Sequence, residues 1–465
     1  MNTTVERLLR GALTLLAGAA GLFTPAAAGA QIAVRGEVVH TMSGQPLRDG
    51  VVLIRDGKIE RVGPAASVRI PEGYTVVTAP VVTPGLIDAH TVVGLAGYLN
   101  QPHDQMQLER SAAMQPELRA MDAYDAREEL VSWLRQHGVT TIHTGHGPGA
   151  LISGGTMIVK TFGDTVEESV IVPEAMIALT LGPGALADGG RSPGTRAKAI
   201  ALLRQELIRA RESVEKSGEK GTPPPAATGT ASPDPATIPV KPGEQLGVRG
   251  TTDTTTSAGK PAPSGEAQPA AAAAGGETAR DLRREAFARV IRRTTPLLVT
   301  AHRAQDIVSA LRLAQEFNIR IVLDGAAEAY LVLDQIKAAG VSVILHPTMF
   351  RAGDETENLS METAVALRKA GIPFALQSGY ESYVPKTRVV LFEAAVAAGH
   401  GLPFDAALAA VTLDAARLLG IADRVGSLEA GKDADLALFD GDPFEYTSHV
   451  TGVMIGGRIV SEERR

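Results

Sequence analysis

The chain has 465 residues, of which 44% are hydrophobic, and this composition is sufficient for a substantial core in one large domain and a smaller one. The formal net charge of −7 and the absence of basic blocks argue against nucleic-acid binding. The chain contains no cysteine, which excludes disulfide bonds and zinc sites built from thiolates.

The first 30 residues show the order of features that is typical of a cleaved secretory signal. Arginines precede an apolar stretch at residues 11–23, and a run of small residues that ends in Ala28-Gly29-Ala30 follows it. The apolar stretch is shorter than the roughly 20 residues of a membrane-spanning helix. We therefore expect residues 1–30 to be removed and the protein to be exported, either to the periplasm or out of the cell. An uncleaved anchor is the alternative, and no membrane span is predicted after cleavage.

Both ends of the mature chain are predicted to be β-structure. Asp56-Gly57 lies between two apolar runs, and such a turn is a strong hairpin signal because both central residues need a positive φ. A similar pattern recurs near the C-terminus. The apolar runs are 51–54, 59–62, 435–439 and 453–460. We expect residues 31–84 and 421–465 to form one small β-sandwich domain.

Residues 85–420 alternate predicted strands with predicted helices, as a (β/α)8 TIM-like barrel requires, so the predicted fold class is α/β. The predicted strands are 139–143, 296–300, 319–323, 341–345 and 373–376, and the predicted helices are 125–137, 197–211, 307–317 and 405–419. Residues 213–279 are rich in Pro, Ala, Gly, Thr and Ser and have almost no large apolar residues. We expect a disordered insert there, with a tether or flexible lid as the alternative.

Two stretches resemble the amidohydrolase superfamily. Residues 82–94 read V-T-P-G-L-I-D-A-H-T-V-V-G and are similar to the first barrel strand of that superfamily, P-G-L-I-D-x-H-x-H. Residues 424–436 read R-V-G-S-L-E-A-G-K-D-A-D-L and match its C-terminal pattern closely. The middle of the chain resembles the branch that contains imidazolonepropionase-like enzymes. The resemblance implies a barrel whose site lies at the carboxyl ends of the strands, and hydrolysis of C–N bonds other than peptide bonds.

The resemblance also implies a divalent metal held by histidines of strands one, five and six and by an aspartate of strand eight. Such a metal makes hydroxide from water near neutral pH, and the aspartate transfers the proton. Here the second histidine of strand one is replaced by Val92, and the ligands of strands five, six and eight by Thr300, Gly325 and Gly379. None of these residues offers an imidazole or a carboxylate. We therefore expect the inherited site to be lost and hydrolysis to be impaired or absent.

Other polar residues near the predicted strand ends are candidates for a rebuilt site. The candidate catalytic residues are Asp88, His90 and His302, and the candidate metal ligands are His90, His302, His143, His146 and Asp324. Each histidine also has a plain interpretation, as a residue that packs in the fold or bonds to backbone or water. Glu381 lies near the same strand ends. Lys160 follows an apolar strand, and we expect it to be solvated, with a metal-bridging lysine as the alternative. No cofactor is expected unless a rebuilt site holds zinc or a similar divalent metal.

Three functional hypotheses follow from these patterns. The chain is a hydrolase with an unusual ligand set or with metal-free acid–base chemistry, a catalytically inactive pseudoenzyme that binds a small molecule in the barrel mouth, or a structural partner of an active homologue. The second and third agree better with the substituted ligand positions. The chain is expected to assemble either as a homo-oligomer or as a complex with an active homologue.

Overall fold

The computed structural model describes residues 31–97, 99, 101–187, 190–218, 281–380 and 389–465. The predicted signal segment, Glu381 and residues 219–279 of the predicted insert lie outside the described residues. Among the residues that are described, no helix is long and apolar enough to cross a membrane.

The described residues contain strands and helices throughout. In chain order, the strands are β1 (Ile32–Val39), β2 (Leu47–Arg55), β3 (Lys58–Pro64), β4 (Thr75–Pro84), β5 (Leu86–Thr91), β6 (Val139–Thr144), β7 (Ile152–Gly155), β8 (Met157–Lys160), β9 (Val170–Val172), β10 (Ile177–Thr180), β11 (Leu297–Ala301), β12 (Ile321–Gly325), β13 (Val343–Leu345), β14 (Phe374–Leu376), β15 (Leu436–Phe439), β16 (Val450–Ile455) and β17 (Arg458–Ser461). The α-helices are α1 (Glu129–Gln136), α2 (Val166–Ser169), α3 (Arg196–Lys216), α4 (Leu282–Ile291), α5 (Ala304–Phe317), α6 (Leu333–Ala339), α7 (Thr363–Ala370), α8 (Val390–Gly399), α9 (Phe404–Ala410) and α10 (Leu413–Leu419).

Strands from both chain ends lie in one seven-stranded sheet with the order β17-β16-β15-β4-β1-β2-β3. The predicted hairpin between β2 and β3 is confirmed, because Arg55 pairs with Lys58 and the two turn residues, Asp56 and Gly57, have φ of 53° and 78°. Alternating residues of β1 and β2 belong to two different apolar clusters, so both faces of this sheet are covered. The limits of the domains remain a prediction.

The middle of the chain is mixed α/β. Strands β10 to β14 lie parallel in a six-stranded sheet with antiparallel β7 at its edge, and β5, β6, β8 and β9 form a second sheet. The sheets approach each other twice. Thr91, at the end of β5, forms a bridge with Gly379, which follows β14. On the other side, Thr156 alone separates β7 from β8.

One apolar cluster lies on one side of these strands. It takes buried side chains from β5, β8, β11, β12, β13 and β14, among them Ile87, Ile158 and Leu298. A separate, larger cluster packs the other side of the strands against the helices. The central strands are therefore covered on both sides, as parallel strands require.

Two predicted elements differ from the structure. The predicted helix 405–419 is two helices, because the carbonyl of Val411 accepts the Ile87 amide of β5 at 2.8 Å and Thr412 is not helical, with φ −139° and ψ −98°. Helix α3 extends to Lys216, so the first residues of the predicted disordered insert are helical. In the first case a tertiary hydrogen bond interrupts the predicted helix. In the second, helix α3 continues into residues whose composition predicted disorder.

Candidate functional site

Asp324 is the centre of a buried polar network at the carboxyl ends of the parallel strands. Its Oδ1 accepts hydrogen bonds from His90 Nδ1 at 2.9 Å and from Gln377 Nε2 at 2.9 Å. Its Oδ2 accepts from the Thr300 hydroxyl at 2.6 Å. All four side chains are buried. The network brings together strands β5, β11, β12 and the end of β14, which are far apart in the chain.

His90 and Asp324 form an ion pair when the imidazole is protonated. Burial by itself would lower the pKa of His90, but the charge and hydrogen bond of Asp324 outweigh it and raise that pKa. Burial would likewise raise the pKa of Asp324, but the charge of His90 and three hydrogen bonds hold it below the usual value. Both directions favour imidazolium opposite carboxylate. The other ring nitrogen of His90, Nε2, is buried and has no partner among the described residues.

Asp88 lies beside this network and bonds to Ser378, which directly follows Gln377. Its Oδ1 accepts the backbone amides of Ser378 at 3.0 Å and of His90 at 3.3 Å, and its Oδ2 accepts the Ser378 hydroxyl. Complete burial raises the pKa of Asp88 to about 6, although the hydrogen bonds from Ser378 oppose that rise. Asp88 therefore titrates close to neutral pH while it holds the end of β14 against β5.

His143 lies next to the network, with its ring centroid 5.6 Å from that of His90, but both of its nitrogens are engaged. Nδ1 donates to the Ala89 carbonyl at 2.8 Å, and Nε2 lies 2.7 Å from the Thr156 hydroxyl. Burial and the His90 charge lower the pKa of His143 to about 3, so the ring is neutral. No lone pair of this ring is left for a metal.

His302 and His146 form no hydrogen bond with the Asp324 network among the described residues, although the charge of Asp324 acts on His302. The His302 ring packs against Gly325, and its Nδ1 has no partner among the described residues. His146 is only 5% exposed, packs against Gly154, and burial lowers its pKa to about 4. Within the described ranges, no three histidine, aspartate or glutamate side chains are grouped so that they could hold a metal ion. The donor set therefore does not fit a catalytic divalent metal, which needs about three protein ligands and an open position.

Other groups now fill the space around the four substituted ligand positions. A Cβ at Gly325 would lie 2.6 Å from His302 Cε1, and a Cβ at Gly379 would lie 2.7 Å from Pro347 Cγ. Thr300 bonds to Asp324. A histidine at residue 325 or an aspartate at residue 379 would therefore collide with its neighbours.

Val92 is buried under a loop that crosses this face. It is 1% exposed and lies beside Gly147, whose amide donates to the Gln107 carbonyl at 2.7 Å. The Gln107 side chain donates to the Tyr380 hydroxyl at 3.0 Å. An apolar residue thus takes the position of the second histidine and supports the loop that covers it.

The prediction that Lys160 is solvated is wrong. Its side chain is 11% exposed, and its ammonium group contacts the carboxylates of Asp435 and of Asp433, the latter at 3.1 Å. Asp433 also pairs with Lys58 and Arg424. This buried ion-pair group joins β8 to the C-terminal part of the chain and has no contact with the Asp324 network.

Two members of the site had no assigned role in the sequence. Gln377 supplies one of the three donors to Asp324, and Ser378 binds Asp88. His346, directly after β13, is fully buried, donates from Nδ1 to the Pro347 carbonyl at 2.7 Å, and has its pKa lowered by burial to about 4. Polar residues directly after the predicted strands 341–345 and 373–376 were the signal that could have identified them.

The sequence model of the amidohydrolase family matches residues 384–460. An imidazolonepropionase of Caulobacter sp. (strain K31) is 31% identical over 158 residues, which are 34% of this chain and 38% of that protein. An imidazolonepropionase of Shouchella clausii (strain KSM-K16) is 34% identical over 138 residues, which are 28% of this chain and 30% of that protein. The chain thus spans less than half the length of these relatives.

A solved structure gives a broader likeness of fold. An amidohydrolase from Thermotoga maritima MSB8 superposes with a TM-score of 0.76 and covers 93% of this chain and 100% of its own, at 24% sequence identity. At this identity the likeness concerns the fold alone.

Proposed function

Because the chain belongs to the amidohydrolase superfamily, in its imidazolonepropionase-like branch, we propose that it is a non-hydrolysing member that has kept the fold as a small-molecule binding module. Its central strands form a (β/α)8 barrel in this proposal. The shared apolar cluster, the bridge from Thr91 to Gly379 and the single residue between β7 and β8 support a closed ring of strands. Export by way of residues 1–30 is part of the same proposal.

The observation that carries this proposal is the engagement of both Asp324 carboxylate oxygens by buried side-chain donors. Three donors occupy its two oxygens, and one of them, Thr300, stands where the relatives carry a metal ligand. A carboxylate in this state holds a buried imidazole in place and keeps at most one lone-pair site, on Oδ2, for any other group. The face that would hold a metal-bound hydroxide is instead closed by a hydrogen-bonded network.

The crowding at Gly325 and Gly379 supports loss of the metal site rather than a single tolerated substitution. Both residues have positive φ, 77° and 67°, which a residue with a Cβ adopts only at a cost. Recovery of either ligand would therefore require His302 or Pro347 to shift, in addition to the conformational cost of the positive φ. The neighbours of Gly325 and Gly379 therefore occupy the space that a ligand side chain would need.

Metal content and hydrolysis test this proposal together. The full chain is expressed in zinc-supplemented medium, and its metal is measured beside a His90→Ala/His302→Ala variant and beside an imidazolonepropionase as positive control. We expect the same low, substoichiometric zinc in the chain and its variant, and no hydrolysis of amide or cyclic amide substrates. About one equivalent of metal that the variant loses, together with hydrolysis, would contradict the proposal and support a C–N hydrolase with a rebuilt site.

A further inference from the structure

A charged cavity lies beside the Asp324 network, at the carboxyl ends of β10 to β13. Its volume is about 980 Å³, and we call it the rim cavity. Its charged lining residues are Arg196, Arg303, Glu328, Asp354, Glu355 and Glu357. Ligands of parallel α/β folds bind at this end of the strands.

Most of these charges are held in place by partners of opposite sign. Arg303 donates to Glu328 at 3.0 Å and to Glu357 at 2.8 Å, and Glu328 also accepts the Ala304 amide at 2.7 Å. Arg196 directs its Nε at both oxygens of the buried Asp306, at 2.9 and 3.0 Å. These contacts orient the two guanidinium groups before any ligand enters.

Glu355 is a partly buried member of this lining whose charge is poorly compensated. Its Oε1 is buried without a hydrogen-bond donor, its nearest cation is Arg196 Nη2 at 3.7 Å, and its Oε2 receives only the Gly184 amide at 3.4 Å. The carboxylate packs directly on Gly182, where a Cβ would lie 2.1 Å from Oε1. Burial, with the charge of Asp306, raises its pKa. A carboxylate with one long hydrogen bond and one distant cation is under-satisfied, and a cationic donor in the cavity would stabilise it.

We propose that the rim cavity binds a free amino acid, with the ammonium group of the ligand on Glu355 and its carboxylate on the outer guanidinium nitrogens of Arg196. Four carboxylates and two guanidinium groups line the cavity, so the excess negative charge favours a ligand that brings an ammonium group. Arg196 uses only its Nε on Asp306, so its planar fork keeps further donors for a carboxylate. This inference gives a ligand class to the proposed binding role and rests on it.

Calorimetric titration of the full chain with the individual proteinogenic amino acids tests the inference. The amino acid that binds best is then compared with its N-acetyl derivative, which lacks the ammonium charge, and with its carboxamide, which lacks the carboxylate. We expect each change to weaken binding by about tenfold or more, and the same loss for the amino acid on a Glu355→Gln variant. Glu316→Gln, which removes a surface partner of Arg204, is the matched control and is expected to bind as the unmodified protein does.

The inference is overturned if no amino acid binds at concentrations up to about 10 mM, or if the N-acetyl derivative and the Glu355→Gln variant bind undiminished. The comparison of ligand derivatives needs no variant, so it stands even if Glu355→Gln fails to fold. Metal content and hydrolysis are measured separately. If the protein hydrolyses its substrates and also binds amino acids, only the proposed function is contradicted. If it contains no metal and binds no amino acid, only this inference is contradicted.

Discussion

Asp324→Asn is expected to destabilise the protein strongly, because it leaves the buried His90 without its counter-charge. Removal of one partner of a buried ion pair costs about 3–5 kcal/mol. We expect the lower part of that range. The substituted asparagine keeps an oxygen that can accept from His90 or Gln377, and the Thr300 hydroxyl can turn to accept from the new amide. The loss is therefore mainly one of charge rather than of hydrogen bonds.

The pH dependence of this cost follows from the direction of each pKa shift. The His90 contribution, from a raised pKa, is complete below its unfolded value of 6.5 and is lost as pH rises through the folded pKa. The Asp324 contribution, from a lowered pKa, is present above 3.8 and is lost as pH falls through the folded pKa. The cost of Asp324→Asn should therefore be largest near about pH 5–6 and should shrink as pH rises through the folded pKa of His90.

Urea unfolding of the variant and of the unmodified protein across this pH range measures the cost, and NMR titration of His90 checks its cause. In the variant, burial should lower the His90 pKa below 6.5. Asp414→Asn is the control, since Asp414 pairs with Arg417 at the surface and should lose less than about 1 kcal/mol. A cost for Asp324→Asn below about 1 kcal/mol, or one that does not change with pH, would refute the ion pair.

Three further predictions concern other parts of the site. Asp88→Asn should flatten the dependence of the unfolding free energy on pH. The Asp88 pKa is raised from 3.8 to about 6, so ionisation of Asp88 costs the folded state about 3 kcal/mol as pH rises through that range. An unchanged slope in urea unfolding at several pH values would count against this prediction. Gly325→Ala should lower the unfolding free energy by about 2 kcal/mol, because residue 325 has a positive φ and an added Cβ would contact His302. In a His302→Ala background the loss measured by thermal unfolding should be smaller, and an equal loss would mean that the contact is absent. Lys160→Met should lower the free energy of unfolding by urea by about 3–5 kcal/mol, because it leaves the carboxylate of Asp435 unpaired. A loss as small as that of a surface ion pair would disprove burial of the charge.

The structure shows how far local patterns extend in this chain. The hairpin at Asp56-Gly57 was predictable because its turn needs only two residues with positive φ. The division of residues 405–419 into two helices was not, since it depends on a hydrogen bond from Ile87 to Val411, 324 residues further along the chain. Helical periodicity alone gives no sign of such a partner.

The same limit applies to the candidate site. Sequence comparison indicated which ligands are missing, at Val92, Thr300, Gly325 and Gly379, because each belongs to a short pattern around one strand. It gave no basis for assigning Lys160 to a buried ion-pair group, because Asp435 is 275 residues away. A lysine after an apolar strand is equally compatible with solvent and with a buried carboxylate.

The sequence by itself indicated the family and the main strands and helices, and it predicted the loss of metal-binding side chains. These properties depend on residue type and on spacing within one element. Only the tertiary structure decided what replaced the metal ligands. Asp324 and His90 are 234 residues apart, and their union depends on two strand ends meeting at one face. Whether a polar residue is a free ligand or a saturated partner is set by its neighbours in space, because a lone pair or a proton can serve only one of them at a time.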